Sequence, residues 1–404
     1  MKLRTVDSAD AIHRRTVLAI ATATGSASLL VNVWYPFLPL FLLQVGAKDE
    51  PAAVFWVAVG MTAQGVARLL GGPLWGLLSD RVGRKKMFVR ALYSAALTAV
   101  VLSMINSPWQ VAIALALQGL LSGFIPAAIA LTSVSVPDAK VKDALSMVSG
   151  TQYLGSAIGP AVGAAMAIAF GYRGAIFSSG VLVATVATVV IFLVPADTIR
   201  RRTRDQTGAA IALEPFKPTL QFALAILLYF SLFALGAFRA IVTPFALKAI
   251  AGPEVTAVTG VTFALGGIAS AIGVWVLSMR FFSKRRLRDT LVMTNVLAAL
   301  AHLLLALSNS VWLYVLAFTV ASFLNASMMP ATNALIAFNV SRERRGTAFG
   351  VASAAQAMAF MAGPMWAAIF AAISLKAGFV TVSILLVCLA ALVGFAVREP
   401  AMDK

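Results

Sequence analysis

One cysteine, Cys388, and two histidines are all that this 404-residue chain offers of the softer ligand and nucleophile types. A single thiol excludes an intramolecular disulfide and a cysteine-built metal cluster. Charge is scarce as well: Asp, Glu, Lys and Arg make up 12% of the chain, against about 25% in ordinary globular domains, while 60% is hydrophobic. Acidic residues are the scarcest, 15 against 32 Lys and Arg. A soluble globular protein is excluded by this balance.

Apolar length is what the chain has in abundance. A hydrocarbon core about 30 Å thick takes about 20 helical residues to cross. Twelve runs of that order lie near 16–46, 52–79, 87–106, 109–136, 144–170, 174–195, 218–247, 255–279, 290–308, 311–338, 347–374 and 377–397. The first is too long for the apolar core of a secretory signal and is read as helix one. The net charge of +17 would suit a nucleic-acid partner if it covered a soluble face. Instead, every Lys and Arg except Lys48, Arg68, Arg173, Arg239, Lys248 and Lys376 falls in the termini, in alternate loops or, as Arg90 does, in the first turn beyond one. Basic loops stay cytoplasmic, so both termini are expected inside and the bilayer, not nucleic acid, is the implied surrounding. Asp49, Glu50 and Glu254 then belong to outer segments, and the other carboxylates to inner loops, termini or inner helix ends. None is left at mid-membrane, where only Arg68 and Arg239 remain as strong charges.

These gaps bear on function. An embedded enzyme needs an activated nucleophile, a buried base or a metal cluster, and the helices supply no central Asp or Glu and one histidine, His302. A Walker-type phosphate loop is also missing. No metal, cofactor or ATP hydrolysis is expected.

The chain echoes itself. At an offset of 200, Gly60, Thr62, Trp75 and Leu77 meet Gly260, Thr262, Trp275 and Leu277, and Arg84-Lys85-Lys86 meets Lys284-Arg285-Arg286. At 204, Pro126, Ala127, Leu131, Gln152 and Gly159-Pro160 meet Pro330, Ala331, Leu335, Gln356 and Gly363-Pro364; at 208, Pro36-Phe37 meets Pro244-Phe245. The sizeable polar interruption, with Arg200-Arg201-Arg202-Thr203-Arg204 and the breakers Pro215 and Pro218, divides the helices six and six. The expected organisation is a first half over 1–196, a basic linker over 197–217 and a second half over 218–404. Six crossings repeated in direct order make two parallel repeats, an arrangement of transporters whose substrate site lies between the halves.

Two motifs stand out. Gly76-Leu77-Leu78-Ser79-Asp80-Arg81-Val82-Gly83-Arg84-Lys85-Lys86 must turn sharply between the second and third runs, and Gly76 and Gly83 allow close backbone approach there. Gly155, Gly159 and Gly163 recur every fourth residue and form one smooth stripe, beside Pro160, which removes a backbone donor. The stripe is expected to pack across the interface between the halves. The first motif resembles the loop 2–3 signature of the major facilitator superfamily. Gly155-Ser156-Ala157-Ile158-Gly159-Pro160-Ala161-Val162-Gly163 resembles the helix-five signature of its antiporters, especially bacterial drug:proton antiporters. Tyr35-Pro36-Phe37-Leu38-Pro39-Leu40, Gly119 to Pro126 and Gly171-Tyr172-Arg173 resemble the same exporters.

The resemblance implies an all-α membrane fold of twelve helices in two six-helix parallel pseudo-repeats. It also implies alternating access, protons as the coupling ion, and residence as a monomer in a bacterial inner membrane. It gives Asp80, with Gly76, Arg81, Gly83, Arg84 and Lys85, a gating role, and Gly155, Gly159, Pro160 and Gly163 a role in sealing the path. Helices one, four, seven and ten line the cavity in that fold. Asn32, Tyr35, Gln118, Tyr229, Phe230, Asn325 and Asn333 are then candidates for a small amphiphilic substrate, joined by Arg68, Arg239, Gln152 and Gln356. Buried amides also bridge helices, and Arg239 can snorkel outward. Three before Gln118-Gly119, where many relatives carry Arg, stands Leu115, and the proton-carrying residue stays open among Asp80, Asp143, His302 and the substrate itself. A dedicated metabolite exporter (of a siderophore or lipid-like product), an uptake facilitator and a non-transporting receptor remain as alternatives.

In the resembled fold the Asp80 carboxylate sits against the N-terminus of helix eleven, an attraction of about 0.3–2 kcal/mol. Asp80→Asn is expected to insert normally and to slow turnover; site-directed accessibility labelling showing unchanged state populations, with full transport, would refute the gating role.

Overall fold

The computed structural model describes residues 2–121, 123–195, 219–280, 287–340 and 345–397. Within these, the side chains of 2–12, 72, 73, 76, 77, 80, 81, 138, 139, 142, 275–280, 287, 345–347 and 349 stand outside the description. Thirteen α-helices account for most of the described residues. They are α1 (Lys2–Asn32), α2 (Leu38–Gln44), α3 (Glu50–Val82), α4 (Arg84–Ser103), α5 (Gln110–Leu121), α6 (Phe124–Ser135), α7 (Asp138–Leu193), α8 (Leu220–Ala251), α9 (Val255–Arg280), α10 (Leu287–Leu307), α11 (Val311–Phe338), α12 (Arg345–Ile373) and α13 (Leu375–Ala396). Ten helical stretches are long and apolar enough to cross a membrane, and two of them, Asp143–Leu193 and Leu220–Val274, hold 51 and 55 residues. At about 20 residues per crossing, those two supply two crossings each, giving the expected twelve. No strand occurs among the described residues.

Breaks inside the crossings follow local chemistry. After α1 the chain tightens into a short 3₁₀ turn at Tyr35–Phe37, with Pro36 inside it, before α2 resumes the first crossing. The run expected over 109–136 is likewise split, α6 starting after Gly123 at φ 124°. The loop expected between 170 and 174 shrinks to a single residue, Gly171, at φ 69° and ψ 168°. Gly83, at φ 108°, is both the last cap of α3 and the first cap of α4. A side chain at positive φ is strained, so the tight turn read from the sequence rests on this one glycine.

Packing repeats from one half to the other. In the first half α1 lies along α7, α3 along α5 and α4 along α7; in the second, α8 lies along α12, α9 along α11 and α10 along α13. Polar staples repeat too. Arg173 donates to Ser103 O (2.6 Å), Ile105 O (2.7 Å) and Asn106 Oδ1 (3.1 Å), and Lys376 donates to Asn309 Oδ1 (3.2 Å) after α10. The linker expected over 197–217 lies outside the described residues, as do Lys284, Arg285 and Arg286.

The glycine stripe corrects one expectation. A Cβ on Gly155, Gly159 or Gly163 would strike the backbone of α1 at Gly25, Leu29 and Val33; for Gly159 the nearest atom would be Leu29 O at 2.6 Å. The stripe therefore seats α7 on α1 within the first half and does not cross to the second. Its counterpart Gly363 meets Ala234 and Ala237 of α8 in the same way. Contacts between the halves run instead through α3 with α12 and α7 with α9, where Ala157 and Ala164 receive Gly267 and Gly260. The spacing of a small-residue stripe shows that a helix approaches closely, not which helix it is.

Gly159→Leu is expected to force α1 and α7 apart, at a cost of about 1–3 kcal/mol or more, as for other overpacked interiors. Thermal unfolding of the purified protein checks this, and an unchanged midpoint would show that the contact yields freely.

Candidate functional site

Between the halves, contact is uneven along the membrane normal. On the face opposite the termini, Lys248 Nζ of α8 meets Glu50 Oε1 of α3 at 2.8 Å. Tyr172 and Thr256 share a hydrogen bond of 2.6 Å between their hydroxyls, and the Tyr172 ring stacks on Phe37 at 6.1 Å. Trp34, Phe37 and Phe41 of the first half share one buried core with Phe238, Val242 and Phe245 of the second.

Toward the terminal face these contacts stop. On α7, Tyr153 and Gly150 follow Ala157 along the stripe that faces α9, since residues four and seven apart share a helix face. Yet Tyr153 is 64% exposed, and nothing lies within 4 Å of a Cβ on Gly150. On α12, Met361 sits against Gly65 of α3, whereas Gly350, eleven residues earlier on the same face, is exposed with nothing within 4 Å. Among the described residues the space between the halves is thus closed at one end and open at the end that carries the termini.

Three polar side chains of the first half meet at the head of this space. Tyr35 Oη donates to Gln64 Oε1 at 3.2 Å, and Gln64 Nε2 donates to Gln118 Oε1 at 2.6 Å, linking the 3₁₀ turn after α1 to α3 and α5. Gly119 lets them approach, because any Cβ there would strike the Gln64 backbone. Gln64 and Gln118 are buried, and Arg68, one turn beyond Gln64, is exposed. On the α3 wheel Arg68 shares the arc of buried Val57, Met61 and Gln64, while lipid-side Val66, Leu70 and Leu74 lie opposite. Its exposure is therefore to the open space between the halves. It stands within electrostatic reach of the Tyr35 hydroxyl.

From the second half come aromatic groups. Tyr229 packs on Phe233 (5.0 Å), which meets Phe360 edge-on (5.5 Å), and Tyr229 lies within electrostatic reach of Tyr153 across the space. Phe230, Asn333, Gln152 and Gln356 are half-buried. Asn32 and Asn325 serve as bridges: Asn32 Nδ2 donates to Ser28 O (2.8 Å) and Ser156 Oγ (3.3 Å), and Asn325 Nδ2 to Leu232 O (3.3 Å).

Arg239 corrects the outward snorkel. It is 7% exposed, with its guanidinium 5.0 Å above the Phe318 ring inside the second half. Phe318 takes the cation on its face, the attractive side of the ring quadrupole, so a route to the surface is not needed. His302, 2% exposed and bonded through Nδ1 to Ala298 O at 2.7 Å, is packed in the same bundle and away from the open space.

Of the loop 2–3 residues, the side chains of Gly76, Asp80 and Arg81 lie outside the described residues. Arg84 is half-buried. Lys85 Nζ donates to Ile191 O at 2.7 Å near the end of α7, a favourable position for a cation at a helix C-terminus. Gln64 and Tyr153 were not among the residues singled out by sequence. Gln64 carried a usable signal, standing four residues before Arg68 on one helix face.

Membrane crossings repeated six and six about a space open at one end define a transporter fold. The family model described as Major Facilitator Superfamily matches residues 20–288 and 276–404, and the chain belongs to that superfamily. It is similar to the Multidrug resistance protein MdtG of Proteus mirabilis (strain HI4320), 30% identical over 358 residues and covering 86% of each chain. Among solved structures it resembles the nucleoside transporter NupG, with a TM-score of 0.72, 14% identity, and 94% and 100% of the two chains covered. It likewise resembles a bacterial homolog of the human lysosomal transporter Spinster in its inward-facing, unoccupied conformation, with a TM-score of 0.73, 14% identity and 96% of each chain covered. The chain is a multi-pass membrane transporter, not an enzyme.

Gln64→Leu leaves Tyr35 and Gln118 without their partner and is expected to cost about 1–3 kcal/mol. The Gln64→Leu/Gln118→Leu pair is expected to cost less than the sum, read from thermal unfolding of the four proteins; strict additivity would show that the 2.6 Å bond does not couple them.

Proposed function

We propose that the chain exports small amphiphilic organic compounds by alternating exposure of the space between its two six-helix halves. The observation that carries this reading is the one-sided opening: Tyr153, Gly150 and Gly350 stand free on faces whose next turns are packed against the other half. With the basic loops and termini on the cytoplasmic side, the described state receives substrate from the cytoplasm. A lining of tyrosines, phenylalanines and a few amides suits ligands that are apolar over most of their surface. The name of the Proteus mirabilis relative supports an outward direction and more than one substrate.

Proton antiport is the finer part of the proposal. Among the described residues no Asp or Glu lies within the crossings, and His302 is sealed in the second half. The proton is therefore assigned to Asp80 at the terminal end of α3 or to the substrate. Asp143, exposed near the start of α7, lies at the membrane margin. The outer closure opens when Lys248–Glu50 and Tyr172–Thr256 part and the terminal face closes over Gly150 and Gly350.

In inside-out vesicles, substrate uptake is expected to accelerate severalfold on imposing an acidic interior and to collapse on adding an uncoupler. Gradient-independent equilibration would make the chain a facilitator and overturn the antiport assignment.

A further inference from the structure

Among the described residues Arg68 is a cation without a counter-ion: it has no hydrogen bond or ion pair there, and no described carboxylate faces the open space from the surrounding α1, α5, α8, α11 or α12. Arg239 and Arg90, on other crossings, lie over the Phe318 and Trp75 rings, whereas Arg68 is held in no such contact among the described residues. Twelve residues separate Arg68 from Asp80, about 18 Å along the helix, so the charge sits deep in the membrane. A guanidinium at such depth is kept at a cost of several kcal/mol unless water or an anion meets it.

A second observation points the same way. Gln118 is 4% exposed, and its oxygen accepts from Gln64, but its own amide NH₂ has no partner among the described residues. Two donor groups, a guanidinium fork one turn beyond Gln64 and the amide of its partner Gln118, thus have no acceptor among the described residues. An oxyanion supplies what is missing: a carboxylate, sulfonate or phosphonate accepts two parallel bonds from Arg and has lone pairs left for the Gln118 amide, while the Tyr35 hydroxyl stays committed to Gln64.

We propose that this site selects amphiphilic anions, Arg68 gripping the anionic head while the aromatic groups around Tyr229 and Phe233 receive the apolar body. This rests on the exporter reading above and adds the substrate class. Electrically the assignment is favourable. With the cytoplasm negative, an anion leaving the cell moves down the electrical gradient, so expulsion needs no buried carboxylate to neutralise a positive substrate.

The test uses three dansyl probes on one alkyl chain: a carboxylate, its N-methylamide and the corresponding primary amine. Their binding to the purified full-length protein in neutral detergent is read by fluorescence anisotropy. The carboxylate is expected to bind at least about tenfold more tightly than the amide, a difference of about 1.4 kcal/mol, with the amine weakest. Arg68→Gln is expected to erase the carboxylate preference. Arg68→Lys, which keeps the charge but loses the fork, should retain only part of it and covers the case in which the glutamine variant does not fold. Equal binding of carboxylate and amide by the wild type, or an undiminished preference in both variants, would overturn the assignment. So would displacement of the probe by phosphatidylglycerol but not by octanoate, which would mark a lipid headgroup site. Counterflow of the three probes in proteoliposomes separates the two readings: preferential binding without any flux would sink the exporter and leave the anion site standing, while flux indifferent to charge would do the reverse.

Discussion

Backbone-to-backbone contact at glycine is the constraint on which this architecture depends. In lipid, apolar side chains gain nothing by leaving their solvent for a neighbouring helix, so association rests on close packing and interhelical hydrogen bonds. Gly155, Gly159 and Gly163 let α7 lie on α1 with no side chain between them, and Gly119 does the same for α5 against α3. Each contact also places a polar group. Asn32 reaches Ser156 across the first, and Gln64 reaches Gln118 across the second. The same residues that hold the first half together thus set the positions of its candidate ligand groups.

Between the halves the material is different. Here Ala157, Ala164, Gly260 and Gly267 meet as small side chains, and Gly65 takes the flexible Met361. Methyl and thioether groups do more of the filling at this seam, although Gly267 still lies against the Ala157 backbone, and the large aromatic core shared by the halves sits at the closed end.

Much of this was legible in the residues. Apolar length gave twelve crossings, and the repeat offsets marked two like halves, with which the matching contacts of α1 with α7 and of α8 with α12 agree. Gly83 lay in a turn legible from the charged motif, whereas the one-residue turn at Gly171, with its positive φ, is legible only in the structure. What could not be read was which neighbour each face meets. The glycine stripe looked like an interface between halves and proved internal to one. Arg239 looked close enough to the surface to escape, while in three dimensions the Phe318 ring covers it. Gln64 went unnoticed because helices were sorted by expected cavity lining, whereas its role comes from a partner 54 residues away. Depth and periodicity are properties of one helix; burial belongs to several.

The closed end also has a kinetic character. Lys248 and Glu50 are 42% and 39% exposed at their side chains, and a water-bathed pair of this kind contributes only about 0.2–1 kcal/mol. Thermal motion breaks it constantly, and dissolved salt weakens it further. The slower event is the hydration of Trp34, Phe37 and Phe41 on one half and Phe238 and Phe245 on the other as they part, because those rings must exchange a dry neighbour for a wet one. The barrier to facing the outside therefore resides in a plug of aromatic carbon rather than in the ion pair at its rim, and the waiting time there is set by how seldom water enters.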